Sequence, residues 1–294
     1  MTFLLLFILG LLIGSFLNVV ALRYTEDRPI FGRHMAVGRS KCRTCSVELK
    51  WYELIPLLSF VIQKGKCRHC YESLSRQYPL VETATGLVTA FLPLFFYQYF
   101  NVQQAVLQQQ PIFWFYIFTG LWMLATYTFI TISAIDFRLR IIPDQCSILL
   151  GAIGVALAVI KYLNPLKFPY QGSFLGTYSQ VLQQNPNLIL NLVFGLAVGL
   201  ALFGGIILFT KGRGMGLGDL KLALPIALLL PWPDTVLAFA FAFIIGSVYG
   251  IIVILNQKKA FKNEVPFGPF MALGVYALIF YGEPILRWYF SLVS

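Results

Sequence analysis

Eight apolar runs divide the chain, at residues 3–22, 80–100, 111–134, 145–163, 187–210, 220–230, 235–255 and 267–290. The runs are continuous, not alternating, so they predict helices and not the two-residue period of barrel strands. Most approach the ~20 residues that a helix needs to cross a bilayer. Only 220–230 is short for a span. The pattern predicts an all-α polytopic membrane protein with about eight transmembrane helices. Residues 1–22 form the first helix, 23–79 a polar insert, and 80–294 the membrane core. The first run reads as a retained helix and not as a cleavable signal, because no basic residues precede it and no small-x-small site ends it.

Composition supports the membrane reading. Hydrophobic residues make up 58% of the chain and charged residues 12%, against roughly 25% charged in soluble domains. The net charge of +10 raises nucleic acid as a partner, but its distribution argues for topology instead. Of the 22 basic residues, 19 fall on one side of a helix-by-helix threading: eleven between Arg23 and Arg76, then Arg138/Arg140, Lys211/Arg213/Lys221 and Lys258/Lys259/Lys262. Lys161, Lys167 and Arg287 fall on the other. The rich side is read as cytoplasmic, which puts the N-terminus outside and gives the excess charge a pull toward anionic lipid.

Four of the five cysteines form two CxxC pairs in the insert, Cys42/Cys45 and Cys67/Cys70. On a cytoplasmic segment, disulfides are disfavoured. Two knuckles at this spacing resemble a zinc ribbon, whose four thiolates close a tetrahedral, structural site. An insert too short for a large core would draw stability from such a metal. His34 and His69 are surplus to a four-thiolate shell, and Cys146 reads as a small apolar filler. Between the knuckles, Trp51 to Phe60 is too short to span and amphipathic enough to lie on the membrane surface.

Polar residues inside or at the ends of apolar runs are the candidates for chemistry. Asn18 suits an interhelical hydrogen bond beside the small-xxx-small pattern Gly10 to Gly14. Glu82 suits a structural partner ahead of a functional role. Asp136 follows the third run, Pro143-Asp144 precedes the fourth, and Asp144 is placed to cap that helix. Asp219 ends the loop Lys211-Gly-Arg-Gly-Met-Gly-Leu-Gly-Asp219, whose glycines allow positive φ and keep side chains clear. Asp136 and Asp219 end different helices at one predicted face. As neighbours they would share a proton, one activating water and the other protonating the scissile carbonyl. The sequence holds no plausible Ser/His/Asp set, HExxH or P-loop. The competing reading is a transporter or scaffold with buried carboxylates neutralised by Arg138 or Lys221.

Gly-Leu-Gly-Asp219 resembles the GxGD signature of intramembrane aspartyl peptidases. With Gly14–Val19, the two knuckles around Trp51–Phe60, Arg76–Glu82, Ile135–Asp144, Gly214–Leu222 and Pro266–Phe270, the chain resembles the type IV prepilin peptidase family over nearly its whole length. The resemblance implies an aspartyl endopeptidase of the bacterial cytoplasmic membrane with its active site facing the cytoplasm. It implies cleavage of the basic leader from prepilins and pseudopilins, after a glycine. It also implies Asp136 and Asp219 as catalytic residues supported by Gly216 and Gly218, with Cys42, Cys45, Cys67 and Cys70 as zinc ligands. Members with the cysteine insert also N-methylate the new N-terminus with S-adenosylmethionine. No glycine-rich nucleotide loop appears in 23–79, so no residue is assigned to that cofactor. The chain departs from the family pattern in small ways: no proline follows the first cysteine, and Glu53 stands where aspartate is common.

Overall fold

A computed structural model describes residues 1–27, 29–30, 32, 38–107, 112–163, 172–182, 187–256 and 265–293. His34, Lys167 and the cluster Lys258/Lys259/Lys262 lie outside them. Among the described residues eleven helices longer than a single tight turn follow one another: α1 (Thr2–Arg23), α2 (Leu58–Ile62), α3 (Gln77–Tyr99), α4 (Val102–Leu107), α5 (Phe113–Leu139), α6 (Asp144–Leu163), α7 (Tyr178–Leu182), α8 (Leu188–Thr210), α9 (Leu217–Leu229), α10 (Trp232–Asn256) and α11 (Gly268–Val293). Among the described residues, pairing of extended backbone is limited to the isolated bridges Lys41–Glu48 and Lys66–Ser73.

Seven of these helices, α1, α3, α5, α6, α8, α10 and α11, are long and apolar enough to cross a membrane. The eighth apolar run forms α9, which has only 13 residues and a length of about 20 Å, short of the ~30 Å hydrocarbon core. Yet α9 is well buried, through Leu222, Ala223, Ile226, Ala227 and Leu229. The chain divides into two compact units, Met1–Ile135 and Asp136–Ser294.

In the first unit, α1 packs on α3 through glycines. A Cβ on Gly10 would come within 2.7 Å of the Gly86 Cα, and one on Gly14 within 2.9 Å of the Glu82 Cα. These small residues let two backbones approach where no side chain fits. Asn18, buried beside them, donates from Nδ2 to the Tyr78 carbonyl at 3.1 Å, the interhelical bond its position asked for. Farther along, α3 meets α5 through an aromatic core of Phe96, Phe118 and Trp122, with ring centroids 5.4 Å apart for the two phenylalanines. Among the described residues Glu82 has no basic partner in an ion pair. Its carboxylate accepts the Leu57 backbone N–H at 2.8 Å and so ties the insert to α3.

In the second unit, α9 packs between α6 and α8, and α10 packs on α11. A Cβ on Gly154 of α6 would lie 2.8 Å from the Leu228 carbonyl carbon, so α6 and α9 touch backbone to backbone. The run predicted as one helix at 187–210 carries a π-helical turn at Leu200–Gly204, which delivers Phe203 to a buried cluster with Phe239, Phe243 and Phe267. Cys146 is buried, as a small filler should be.

Candidate functional site

The glycine loop begins with a helix stop. Lys211 takes a left-handed φ of 51°, Gly212 follows at φ 74°, and the Gly212 N–H reaches back to the Ile207 carbonyl at 2.9 Å. This six-to-one closure is the Schellman ending of α8. Thr210 Oγ1 then accepts the Gly214 N–H at 3.1 Å. Positive φ in this loop falls at Lys211 and Gly212. Gly216 is extended at φ −82°. A Cβ on Gly216 or Gly218 would meet nothing closer than 3.8 Å or 3.6 Å respectively. A side chain there would make ordinary contacts, so these two glycines answer to no crowding.

Asp219 lies in the first turn of α9, three residues after the N-cap Gly216. Its Oδ2 accepts the Gly216 N–H at 3.2 Å, the side-chain half of a capping box, and the carboxylate sits at the positive end of the helix. Asp136 was expected to close its helix. Instead α5 continues to Leu139, and Asp136 stands one turn inside it, buried. Asp136 Oδ2 accepts the Gly268 N–H at 3.0 Å. Gly268 opens α11, so this carboxylate too lies at a helix N-terminus. Each aspartate is thus held by a backbone donor, and the charge of Asp219 acts on the Asp136 carboxyl.

The nearby cation is engaged elsewhere. Lys221 Nζ contacts both oxygens of Asp144, at 2.8 Å and 3.0 Å. Asp144 is the first residue of α6, not the residue that precedes it, and its carboxylate serves Lys221 across 77 positions of sequence. The sequence reading attached no role to Gly268. The signal available was Pro266-Phe-Gly-Pro269, a helix start in which glycine, unlike its proline neighbours, keeps an N–H.

The four cysteines of the insert converge, with sulfurs all within 4.8 Å of one another. Cys42 Sγ and Cys70 Sγ are 3.8 Å apart, the edge of a tetrahedron whose Zn–S radius is about 2.3 Å. The two knuckles share one backbone design. Cys42 N–H bonds the Val47 carbonyl and Cys67 N–H the Glu72 carbonyl, each at 2.9 Å. Ser46 and Tyr71, following the second cysteine of each knuckle, take φ of 58° and 57°. Without metal the thiols divide unequally. Backbone donation from Cys45, opposed by burial, brings Cys42 down to about 6. At Cys70, donation from the Glu72 N–H pulls the other way, but burial and the neighbouring thiols push it up to about 12. A soft divalent cation would let all four ionise. His69 is exposed and outside this set.

Residues 122–251 match the Type IV leader peptidase family, and residues 8–96 match the Bacterial Peptidase A24 N-terminal domain. Three similar curated proteins each bear the name prepilin leader peptidase/N-methyltransferase. That of Aeromonas salmonicida is 27% identical over 99% of this chain and 94% of its own length. That of Pseudomonas aeruginosa is 25% identical over 96% and 91%. That of Bacillus subtilis is 29% identical over 98% and 97%. No solved structure matches.

Proposed function

We propose that the chain, which matches the type IV leader peptidase family over residues 122–251, is a membrane aspartyl endopeptidase of the bacterial inner membrane, acting on prepilins and pseudopilins and N-methylating the new N-terminus. The observation that carries the proteolytic reading is the arrangement of Asp136 and Asp219. Two carboxylates from different helices, each fixed by a backbone N–H, stand within electrostatic reach of each other while Lys221 is bound to Asp144.

In the proposed reaction, the two carboxyls share one proton. The ionised carboxylate takes a proton from water as the water oxygen attacks the scissile carbonyl. The protonated partner gives its proton to the carbonyl oxygen. Collapse of the tetrahedral intermediate breaks the C–N bond, and the amine leaves with a proton from the pair. No covalent intermediate forms. The Gly268 and Gly216 N–H groups orient the two acids, and the missing side chains at Gly216 and Gly218 keep the approach of an extended substrate backbone clear.

The distribution of basic residues supports a cytoplasmic site and an external N-terminus. Cys42, Cys45, Cys67 and Cys70 would hold a structural zinc ion, which supplies cross-linking of the insert and no catalytic step. For methylation the donor class is S-adenosylmethionine. The described part of the insert has isolated bridges and short helices, not a strand–loop–helix cradle, so no residue is assigned to that cofactor. A transporter or scaffold is not favoured. The test is leader cleavage of a purified prepilin by Asp136→Asn and Asp219→Asn enzyme in detergent. Loss of cleavage in both with folding retained is expected, and cleavage by either would sink the paired-acid reading.

A further inference from the structure

The segment between the knuckles is partly buried and partly exposed. Glu53 is buried, with Oε2 accepting the Lys50 N–H at 2.8 Å, and Leu57 is tied through its N–H to Glu82. Other side chains of the segment are apolar and uncovered. Trp51 is 77% exposed, Val61 69%, Ile62 58% and Leu58 52%. Leu58, Val61 and Ile62 stand together on α2, while Trp51 and Leu54 belong to the tight turn before it, and Leu57 at φ 57° separates the two.

Where these residues sit decides what covers them. Glu82 lies five residues into the membrane helix α3, about 7.5 Å from its start. The backbone of Leu57 is bonded to it, so these apolar residues are held beside the first turns of a helix long and apolar enough to span. Lys50, Lys64, Lys66 and Arg68 are exposed around it. Basic residues at that level face the headgroups, and anionic lipid is their complement.

We propose that residues 51–62 form an interfacial anchor: Trp51, Leu54, Leu58, Val61 and Ile62 seat in the leaflet beside α3, and the flanking basic residues bind anionic headgroups. The anchor is coupled to the metal cluster. The Arg68 guanidinium of the second knuckle lies 5.2 Å from the Tyr52 ring centroid, and Gly65 packs against the Phe60 ring. The cysteine cluster is therefore held against the membrane surface and does not swing free between α1 and α3.

The test places a photo-crosslinking benzoylphenylalanine at Val61 in the full chain, reconstituted in nanodiscs of phosphatidylethanolamine and phosphatidylglycerol, with Glu72 as the control position. Lipid adducts at Val61 should exceed those at Glu72 severalfold and should fall when phosphatidylglycerol is omitted. A second probe at Trp51 repeats the measurement should the first disturb folding. Equal yields at Val61 and Glu72 overturn the proposal, as do adducts dominated by added prepilin or by a second copy of the chain. A yield indifferent to phosphatidylglycerol overturns the headgroup contact. The readout involves no proteolysis, so it stands or falls apart from the peptidase reading.

Discussion

Lys221 holds Asp144 in a two-pronged contact, 2.8 Å and 3.0 Å to its two carboxylate oxygens. This pairing keeps Lys221, two residues from Asp219, occupied beside a site that requires acids. Both side chains are more than half exposed, and such a pair contributes about 0–1 kcal/mol. Lys221→Met should therefore leave thermal stability nearly unchanged and retain leader cleavage within a few-fold of wild type. Complete loss of cleavage in a folded Lys221→Met protein would mean that the lysine works at the acids directly.

The two aspartates should behave differently from that pair. General acid–base groups contribute about 10²–10⁴-fold in rate. Asp136→Asn and Asp219→Asn should each reduce single-turnover cleavage by at least about 10²-fold, with unfolding profiles close to wild type. Because the two act as a unit, the double variant should be little worse than either alone.

Gly268 offers a finer test of how Asp136 is held. Gly268→Ala keeps the backbone donor and Gly268→Pro removes it. A hydrogen bond to a charged group is worth about 1.5–3 kcal/mol, so the proline variant should cut more slowly by roughly ten- to a hundred-fold while the alanine variant stays near wild type. Equal rates for the two variants would remove Gly268 from the account.

For the cysteine cluster, elemental analysis should find about one zinc per chain, lost in Cys42→Ser or Cys67→Ser. Thiols must give up their protons to bind metal, so zinc affinity should rise with pH. Chelation should loosen the insert, seen as faster proteolytic nicking between residues 38 and 76, while α5 to α11 keep their helical signal.

Gly10→Val places a branched side chain where a bare Cβ already comes within 2.7 Å of the Gly86 Cα. Overpacking of this kind costs about 1–3 kcal/mol. The expected outcome is a lower unfolding temperature in detergent, with Gly204→Val, which meets open space, as the neutral comparison.

Much of this architecture is written locally. A run of apolar residues reports a membrane helix because burial in lipid acts on each side chain in place, and two CxxC pairs report a metal because the ligands come with their own turns. The glycine loop with Asp219 and the position of Asp136 near a helix end are legible for the same reason. What the sequence does not display is pairing across distance. Asp144 looked like a helix cap because capping is a local role, whereas its partner lies on another helix. Glu82 meets a backbone N–H, which every residue but proline carries, so no side-chain pattern could announce Leu57. Gly268 was hidden in the same way. The π turn at Leu200–Gly204 carries Phe203, whose ring meets Phe239 on another helix, a pairing that local composition does not display.

The cysteine knuckles carry one more consequence. Residues 41–48 and 66–73 differ by a constant offset of 25, read Lys-Cys-Arg-Thr-Cys-Ser-Val-Glu and Lys-Cys-Arg-His-Cys-Tyr-Glu-Ser, and share their hydrogen bonds, left-handed residue and bridge. The centre is thus two copies of one peptide module facing each other, and neither copy offers more than two sulfurs. The halves should be interchangeable: a chain carrying the first module in both places would keep the four sulfurs and the turns that present them.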